Sequence, residues 1–200
     1  MAKIKLTKNE LKKQKDGLKR FQRYLPTLQL KKQQLQMEVR KIEEALRKKE
    51  QELERLHQAF KDWVAVLGEE VGLEDFVEVQ EIVTSDSNIA GVDIPVFEKA
   101  LFRPAEYDLF VTPLWVDKAV ERIKEILAVQ AEVGILKEQA RLVREELTTT
   151  TQRVNLFEKV KIPETKENIR VIRIYMGDQQ TAAVVRGKIS KKKIMERQAS

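Results

Sequence analysis

The residue types that could perform chemistry in this chain are few, and their spacing fits no common catalytic arrangement. The single histidine, His57, lies beside an apolar repeat, where a solvated side chain is the usual outcome. The stretch RGKIS at 186–190 is similar to the end of a phosphate-binding loop, but Ala182 stands where that loop needs its first glycine. The glutamates are spaced for ion pairs along helices rather than for catalysis or metal binding. We therefore expect no catalytic residue, no metal site and no cofactor.

The composition limits the compartment in which the chain works. The sequence contains no cysteine, which excludes disulfides and thiolate metal sites and fits a reducing compartment. The opening MAKIKLTKNELKKQK lacks the apolar core of a signal peptide. No apolar run approaches the roughly eighteen residues of a membrane-spanning helix. We therefore expect a protein of a reducing compartment that does not span a membrane.

An apolar repeat of seven residues begins at Ile4 and keeps its phase to Leu67. Fifteen of its nineteen positions are apolar, against about eight expected from the 42% hydrophobic composition. Such a repeat is typical of a coiled-coil helix. A second repeat runs from Trp115 to Phe157, slips by one residue and resumes at Ile162. Two such helices joined by a compact middle predict an antiparallel pair in which the numbers of facing residues add to about 180.

Glycine and proline mark the boundaries of a central module. Six of the twelve lie between positions 68 and 113, and this predicts an N-terminal helix over 1–67, a central module over 68–112 and a C-terminal helix with a basic tail over 113–200. Thr112 as N-cap and Pro113 at the first helical position predict the start of the second helix. The module contains a β-hairpin pattern whose turn lies either in the polar run at 84–88 or at Gly91. The predicted fold class is mainly α, a long antiparallel two-helix coiled coil with a small central β-hairpin.

Charge is distributed unevenly along the sequence. Residues 1–23 carry nine basic and two acidic side chains and residues 184–200 carry six and one, whereas residues 68–108 carry two and eleven. In an antiparallel helix pair both basic ends would meet at one tip, and the acidic module would lie at the other end. Basic patches also bind nucleic acid, but no aromatic side chain alternates with the run at 191–193. A solvated basic tip is the simpler interpretation, and a free-standing coiled-coil protein that binds RNA or a scaffold partner is the alternative.

Several segments resemble one protein family in order and spacing. The N-terminal part contains TKNELK at 7–12 and YLPTLQLKK at 24–32, and the centre contains SNIAGVDIPVF at 87–97. The C-terminal part contains TQRVNLFE at 151–158, followed by VKIP at 160–163. Together they resemble the D subunits of the V-type and A-type rotary ATPases, and the similarity extends over essentially the whole chain. The stretches at 164–166 and 181–185 depart from the pattern of many relatives.

The resemblance implies a central rotor shaft that transmits torque between ATP turnover and ion translocation. Both termini of such a shaft enter the hexamer of catalytic A and B subunits, and its middle faces the membrane. Its other implied partners are the small F subunit of the rotor and the connector to the membrane ring. The resemblance further implies a non-catalytic protein that binds no nucleotide and lies in the cytoplasm, peripheral to the membrane.

Three groups of residues receive expected roles from the resemblance. The basic tip is expected to contact the inner wall of the hexamer through Lys3, Lys5, Lys8, Lys12, Arg186, Lys188, Lys191, Lys192 and Lys193. The family-like segment of the shaft contains Arg153, Asn155, Glu158 and Pro163. The hairpin is expected to contact the F subunit or the connector through Gly91, Ile94, Pro95 and Phe97.

Overall fold

The computed structural model describes residues 4–64, 76–104, 113 and 115–198. Its elements in chain order are helix α1 (Lys8–Val64), strands β1 (Val79–Ile89) and β2 (Val92–Phe102), helix α2 (Val116–Asn155), a π-helical turn (Leu156–Lys161) and helix α3 (Ile162–Gln198). Long helices with one two-stranded antiparallel sheet between them confirm the predicted fold class. The predicted boundary between 67 and 68 and the predicted N-cap Thr112 lie outside the described residues.

Helix α1 follows the apolar repeat closely. It begins after Thr7, whose hydroxyl accepts a hydrogen bond from the Glu10 amide at 3.3 Å and so satisfies one of the free donors of the first turn. It then runs without interruption through Pro26. Every position of the predicted repeat from Leu11 to Phe60 is buried or half-buried, because the repeat places these side chains on one face.

Helix α2 begins at Val116, three residues later than the sequence predicts. The Val116 amide donates to the Pro113 carbonyl at 3.0 Å, so a single turn precedes the helix. Along α2 the predicted repeat is again buried or half-buried, with the exception of Arg122, which is exposed. The fully or nearly buried positions of α2 are Val116, Ala119, Val120, Ile126, Val129, Val133, Gln139, Ala140, Val143, Thr150 and Val154.

One compact unit contains residues Lys31–Thr149. In this unit α1 and α2 are antiparallel, since Lys31 lies 2.6 Å from Glu146 and Lys49 lies 3.0 Å from Glu132. The numbers of the paired residues add to about 180, as predicted. The core of the unit combines residues of both helices with one residue of the hairpin, and consists of Leu35, Val39, Ile42, Ile94, Ala140 and Val143.

The hairpin turns at Ala90 and Gly91, which confirms the second of the two predicted turn positions. Both residues have positive φ, 52° and 81°, as a two-residue type I′ turn requires. Asn88 supports the turn, because its Oδ1 accepts a hydrogen bond from the Gly91 amide at 3.0 Å and its Nδ2 donates to Asp93 Oδ1 at 2.6 Å.

The hairpin packs on the side of the helix pair. Its residue Ile94 shares a core with Leu35 of α1 and Val143 of α2, far along the sequence from the helix ends at Val64 and Val116. The predicted location of the acidic module beyond the ends of the helices is therefore wrong for the hairpin. Burial of Ile94 is the physical reason, since an isolated two-stranded hairpin has too little core of its own.

A second compact unit contains Met1–Leu30 and Thr150–Ser200. Here the rings of Phe21 and Phe157 pack with their centroids 5.3 Å apart. Gly17 lines a groove together with Glu164 and Thr165 of α3. These pairs also have numbers that add to about 180, so the two segments are antiparallel within this unit as well.

Candidate functional site

The one-residue slip in the second apolar repeat has a structural cause, the π turn. Its backbone follows the i to i+5 pattern, because the Ile162 amide donates to the Phe157 carbonyl. The turn therefore holds one residue more than an α-helical turn. Apolar side chains after the turn stay on the same helix face as those before it only if the sequence repeat also shifts by one residue. The buried side chains on either side of the turn are Val154, Thr165, Ile169 and Ile172. The sequence predicts the slip but not the π geometry that produces it.

The family-like segment of the sequence surrounds this turn. Arg153 and Asn155 lie in the last turn of α2, Glu158 lies in the π turn, and Pro163 is the second residue of α3. All four side chains are exposed. The structure therefore brings the four predicted residues together on one short stretch, where they face outward rather than towards α1.

The predicted partner residues of the hairpin have different environments. Ile94 is only 3% exposed and belongs to the core of its unit, and the Pro95 carbonyl accepts a hydrogen bond from Gln139 Nε2 of α2. Phe97 is half-buried, and Gly91 is exposed at the turn. Ile94 and Pro95 thus hold the hairpin on the helices. Gln139 is not among the residues predicted from sequence, because a polar side chain gives no sign that it faces a core.

The predicted basic residues are exposed wherever the structure describes them, and Lys3 lies outside the described residues. In the register set by Phe21 and Phe157, the first residue of α1, Lys8, lies at the level of about Ile172. Arg186 is fourteen residues further along α3, which corresponds to roughly 20 Å. Among the described residues, Lys8 and Lys12 of α1 therefore lie at a different level of this unit from Arg186 and the lysines after it, rather than at one tip.

Helix α3 is exposed along most of its length after Ile172. Among its described residues beyond that position, only Met176 and Ala182 are half-buried. Large apolar side chains there are exposed by 40% or more, namely Ile174, Tyr175, Val184, Val185, Ile189, Ile194 and Met195. This end of the helix thus presents apolar and basic side chains together, which is unusual for a surface that faces only water.

Ion pairs cover the polar faces of the helices, as the glutamate spacing predicts. Between α1 and α2, Lys49 forms an ion pair with Glu132. Hydrogen bonding to that carboxylate raises the pKa of Lys49 above its usual 10.5. Within α2, Arg141 donates two hydrogen bonds to the Glu138 carboxylate, and this hydrogen bonding lowers the pKa of Glu138. These pairs orient side chains along the helices.

Two kinds of site were sought in the described part of the chain, a cluster of metal ligands and a membrane-spanning stretch. Within residues 4–64, 76–104, 113 and 115–198, His, Asp and Glu form no cluster of three or more that could hold a metal ion. In the same part of the chain, the helices contain no stretch apolar and long enough to cross a membrane.

The geometry defines a class, namely proteins in which long helices pair antiparallel within each compact unit and a β-hairpin packs on the helices of one unit. The family model described as the D subunit of ATP synthase matches residues 10–192 of the sequence. The chain therefore belongs to the ATP synthase D-subunit family.

Individual relatives agree with the family model. The chain is 51% identical over 197 residues to the V-type ATP synthase D subunit of Borreliella burgdorferi, and the match covers 98% of each protein. It is 36% identical over 127 residues to the V-type ATP synthase D subunit of Chlamydia pneumoniae, covering 64% of this chain and 61% of that protein. The corresponding protein of Chlamydia muridarum is 38% identical over 109 residues, or 54% of each chain.

Proposed function

We propose that this chain is the central rotor stalk of a V-type ATPase, which transmits torque between the catalytic hexamer and the ion-translocating ring of the membrane. The observation that carries the proposal is the 51% identity to a V-type ATP synthase D subunit over 98% of both chains. Family membership supplies the stalk role. The protein then performs no bond chemistry, and it acts from the cytoplasmic side as a peripheral part of the complex.

The exposed end of α3 supports a bearing inside the hexamer of A and B subunits. Its apolar side chains gain free energy only where another protein covers them. The lysines around them suit an acidic wall, because complementary charge favours one docking orientation. The proposed bearing residues on α3 are Arg186, Lys188, Lys191, Lys192 and Lys193, and those in the N-terminal part of the sequence are Lys3, Lys5, Lys8 and Lys12.

Rotation can be tested directly because the chain has no cysteine of its own. In a complex whose other proteins lack reactive cysteines, Ser87→Cys gives a single attachment point for a bead, on an exposed residue of the hairpin. With the hexamer fixed to a surface, ATP should drive rotation of the bead in one direction. A complex that hydrolyses ATP while the bead stays still would contradict the stalk role.

The two basic groups call for two variants, since they lie at different levels. One variant replaces Lys5, Lys8 and Lys12 with Gln, and the other replaces Lys191, Lys192 and Lys193. A matched control replaces Lys41 and Lys48, which are exposed on α1 in the other compact unit. We expect both test variants to pump fewer ions per ATP hydrolysed, with the control unchanged. If all three variants pump the same number of ions per ATP hydrolysed, the lysines do not take part in the bearing.

The hairpin is proposed to contact the F subunit or the connector to the membrane ring. Ile94 and Pro95 support that contact indirectly by fixing the hairpin, while Gly91 and Phe97 are the members of the predicted set left for a partner. Replacing 79–102 with a short Gly/Ser linker should weaken capture of the F subunit or of the connector. Unchanged capture of both would argue against this role.

A separate observation keeps the alternative class open to test. Exposed lysines occur in both the first and the last described helix, and such lysines could neutralise the phosphates of a nucleic acid. If the purified chain carries nucleic acid that nuclease removes, and does not assemble with A and B subunits, the RNA-binding alternative is favoured.

A further inference from the structure

We propose that the π turn Leu156–Lys161 is a torsional joint, the place where the C-terminal helix twists about its own axis. A π turn holds one residue more than an α turn, and complete conversion to α geometry would rotate α3 by about 100° relative to the end of α2. Smaller twists need only a partial exchange of i to i+5 for i to i+4 hydrogen bonds. The joint is a property of the helix, and only the source of the twist rests on the proposed stalk function.

The packing around the turn allows movement there and resists it elsewhere. None of the residues of the turn is buried, and Leu156 and Val160 are 43% and 48% exposed. On either side the helix is held by buried side chains, Val154 before the turn and Thr165 after it, which are 4% and 5% exposed. A twist applied to the two flanks should therefore concentrate in the unburied segment between them.

The hydrogen bonding after the turn points the same way. Pro163 is the second residue after the turn and has no amide hydrogen. An amide at this position would bond the carbonyl of residue 159 in α geometry or of residue 158 in π geometry, and neither bond can form here. The Thr165 hydroxyl fixes the next segment, since it donates to the Lys161 carbonyl at 2.6 Å. The hydrogen-bond pattern can thus change between Leu156 and Pro163 without the loss of a backbone bond from residue 163.

Inside the turn, a contact of Phe157 with α1 is available to restore the resting geometry. Phe157 packs against Phe21 of α1, with 5.3 Å between the ring centroids. Both rings are half-buried, so the contact opposes rotation without preventing it. A joint needs a loosely packed turn, a contact that favours one orientation and two fixed flanks, and these three features occur together here.

The first experiment uses the full-length chain alone and two variants at the same site. Deletion of Lys159 removes the additional residue and should give a continuous α-helix with Thr165, Ile169 and Ile172 still facing α1. Insertion of one alanine after Lys159 is the matched control, because it turns those three side chains away by one residue. We expect the deletion to keep helix content and Tm, and the insertion to lower Tm. Equal losses in both variants would overturn the proposal.

Hydrogen exchange measures the mobility of the joint itself. In the unchanged chain, the amides of 158–162 should exchange at least about tenfold faster than those near Val154 and Ile169. Deletion of Lys159 should slow them to the rate of the flanks. Pro163→Ala keeps every residue in register and restores the missing donor, so it should slow the same amides. If the amides of 158–162 are already as protected as the flanks, the turn is rigid and the proposal is wrong.

The assembled complex tests whether the π turn twists under the torque of rotation. With a bead on the hairpin and the hexamer fixed, deletion of Lys159 should narrow the angular fluctuations of the bead between steps. Unchanged fluctuations alongside the expected exchange results would show that the turn does not carry the torque. A complex of the unchanged chain that never rotates would instead remove the stalk function and leave the joint standing.

Discussion

The hairpin should be held on the helices mainly by Ile94, and replacing Ile94 with alanine tests this. Ile94 is 3% exposed and packs in one cluster with Leu35 and Val143. The substitution removes three carbon atoms, which at about 0.8 kcal/mol each gives about 2.4 kcal/mol of lost burial. The cavity left behind adds to this, and buried Ile to Ala changes cost about 2–5 kcal/mol. We therefore expect a loss of about 3 kcal/mol.

Two measurements separate loss of the hairpin from loss of the whole fold. Equilibrium unfolding in urea reports the free energy of global unfolding, whereas amide exchange in β1 and β2 reports the local opening of the hairpin. A loss of about 3 kcal/mol corresponds to strand amides that exchange roughly 100-fold faster. If the hairpin opens alone, the strands lose protection while α1 keeps it.

The matched control is Ile82→Ala, the same change on the exposed side of the hairpin. Ile82 lies in β1 and is 43% exposed, so its loss should cost less than about 1 kcal/mol. Equal effects of the two substitutions on strand exchange would refute the reasoning, because they would show that burial at Ile94 does not hold the hairpin.

Single contacts lead to three further predictions. Ala90→Asn should stabilise the hairpin by about 0.5–1 kcal/mol, measured by strand amide exchange, because Asn tolerates the positive φ of a type I′ turn better than Ala does. Hydrogen bonding to Glu132 raises the pKa of Lys49, so this ion pair stabilises the fold fully below the usual value of 10.5, and its stabilisation is lost as pH rises through the raised pKa. Lys49→Gln should remove this alkaline dependence of the free energy of unfolding in urea and cost up to about 1 kcal/mol at pH 7. A double-mutant cycle of Phe21 and Phe157 to Leu should give a coupling of about 0.5–1.5 kcal/mol, and a value near zero would mean that the ring contact is incidental.

The helix pair could be predicted from sequence because its information is local and repeated. Each apolar position from Leu11 to Phe60 adds to the same periodic signal, so single exceptions such as Lys49 do not hide it. The antiparallel register of the two helices followed from the end of the first repeat at Leu67 and the predicted start of the second helix at Pro113. The hairpin turn could be narrowed to two places but not decided, since Gly91 and the polar run at 84–88 both carry turn residues.

The docking of the hairpin and the level of the basic ends could not be predicted in the same way. Both depend on contacts between segments that are distant in sequence, such as Ile94 in the core and Gln139 bonded to Pro95. The hairpin sequence has no periodic pattern that predicts which part of the helices it packs against. Likewise, charge alone groups the two basic ends together, whereas the register places Lys8 and Arg186 at different levels.

The π turn and Pro26 lie at about the same level of their compact unit, so both helices depart from regular α hydrogen bonding near one place. With facing numbers that add to about 180, Pro26 of α1 is opposite residue 154, immediately before the turn. Pro26 has no amide hydrogen, so α1 lacks one regular backbone hydrogen bond at this level. With the residues that this sequence has, unbroken α geometry through 156–161 would turn Thr165, Ile169 and Ile172 away from α1. The π turn takes up the additional residue and lets Val154 and Thr165 both pack, at the cost of the exposed and loosely held segment between them.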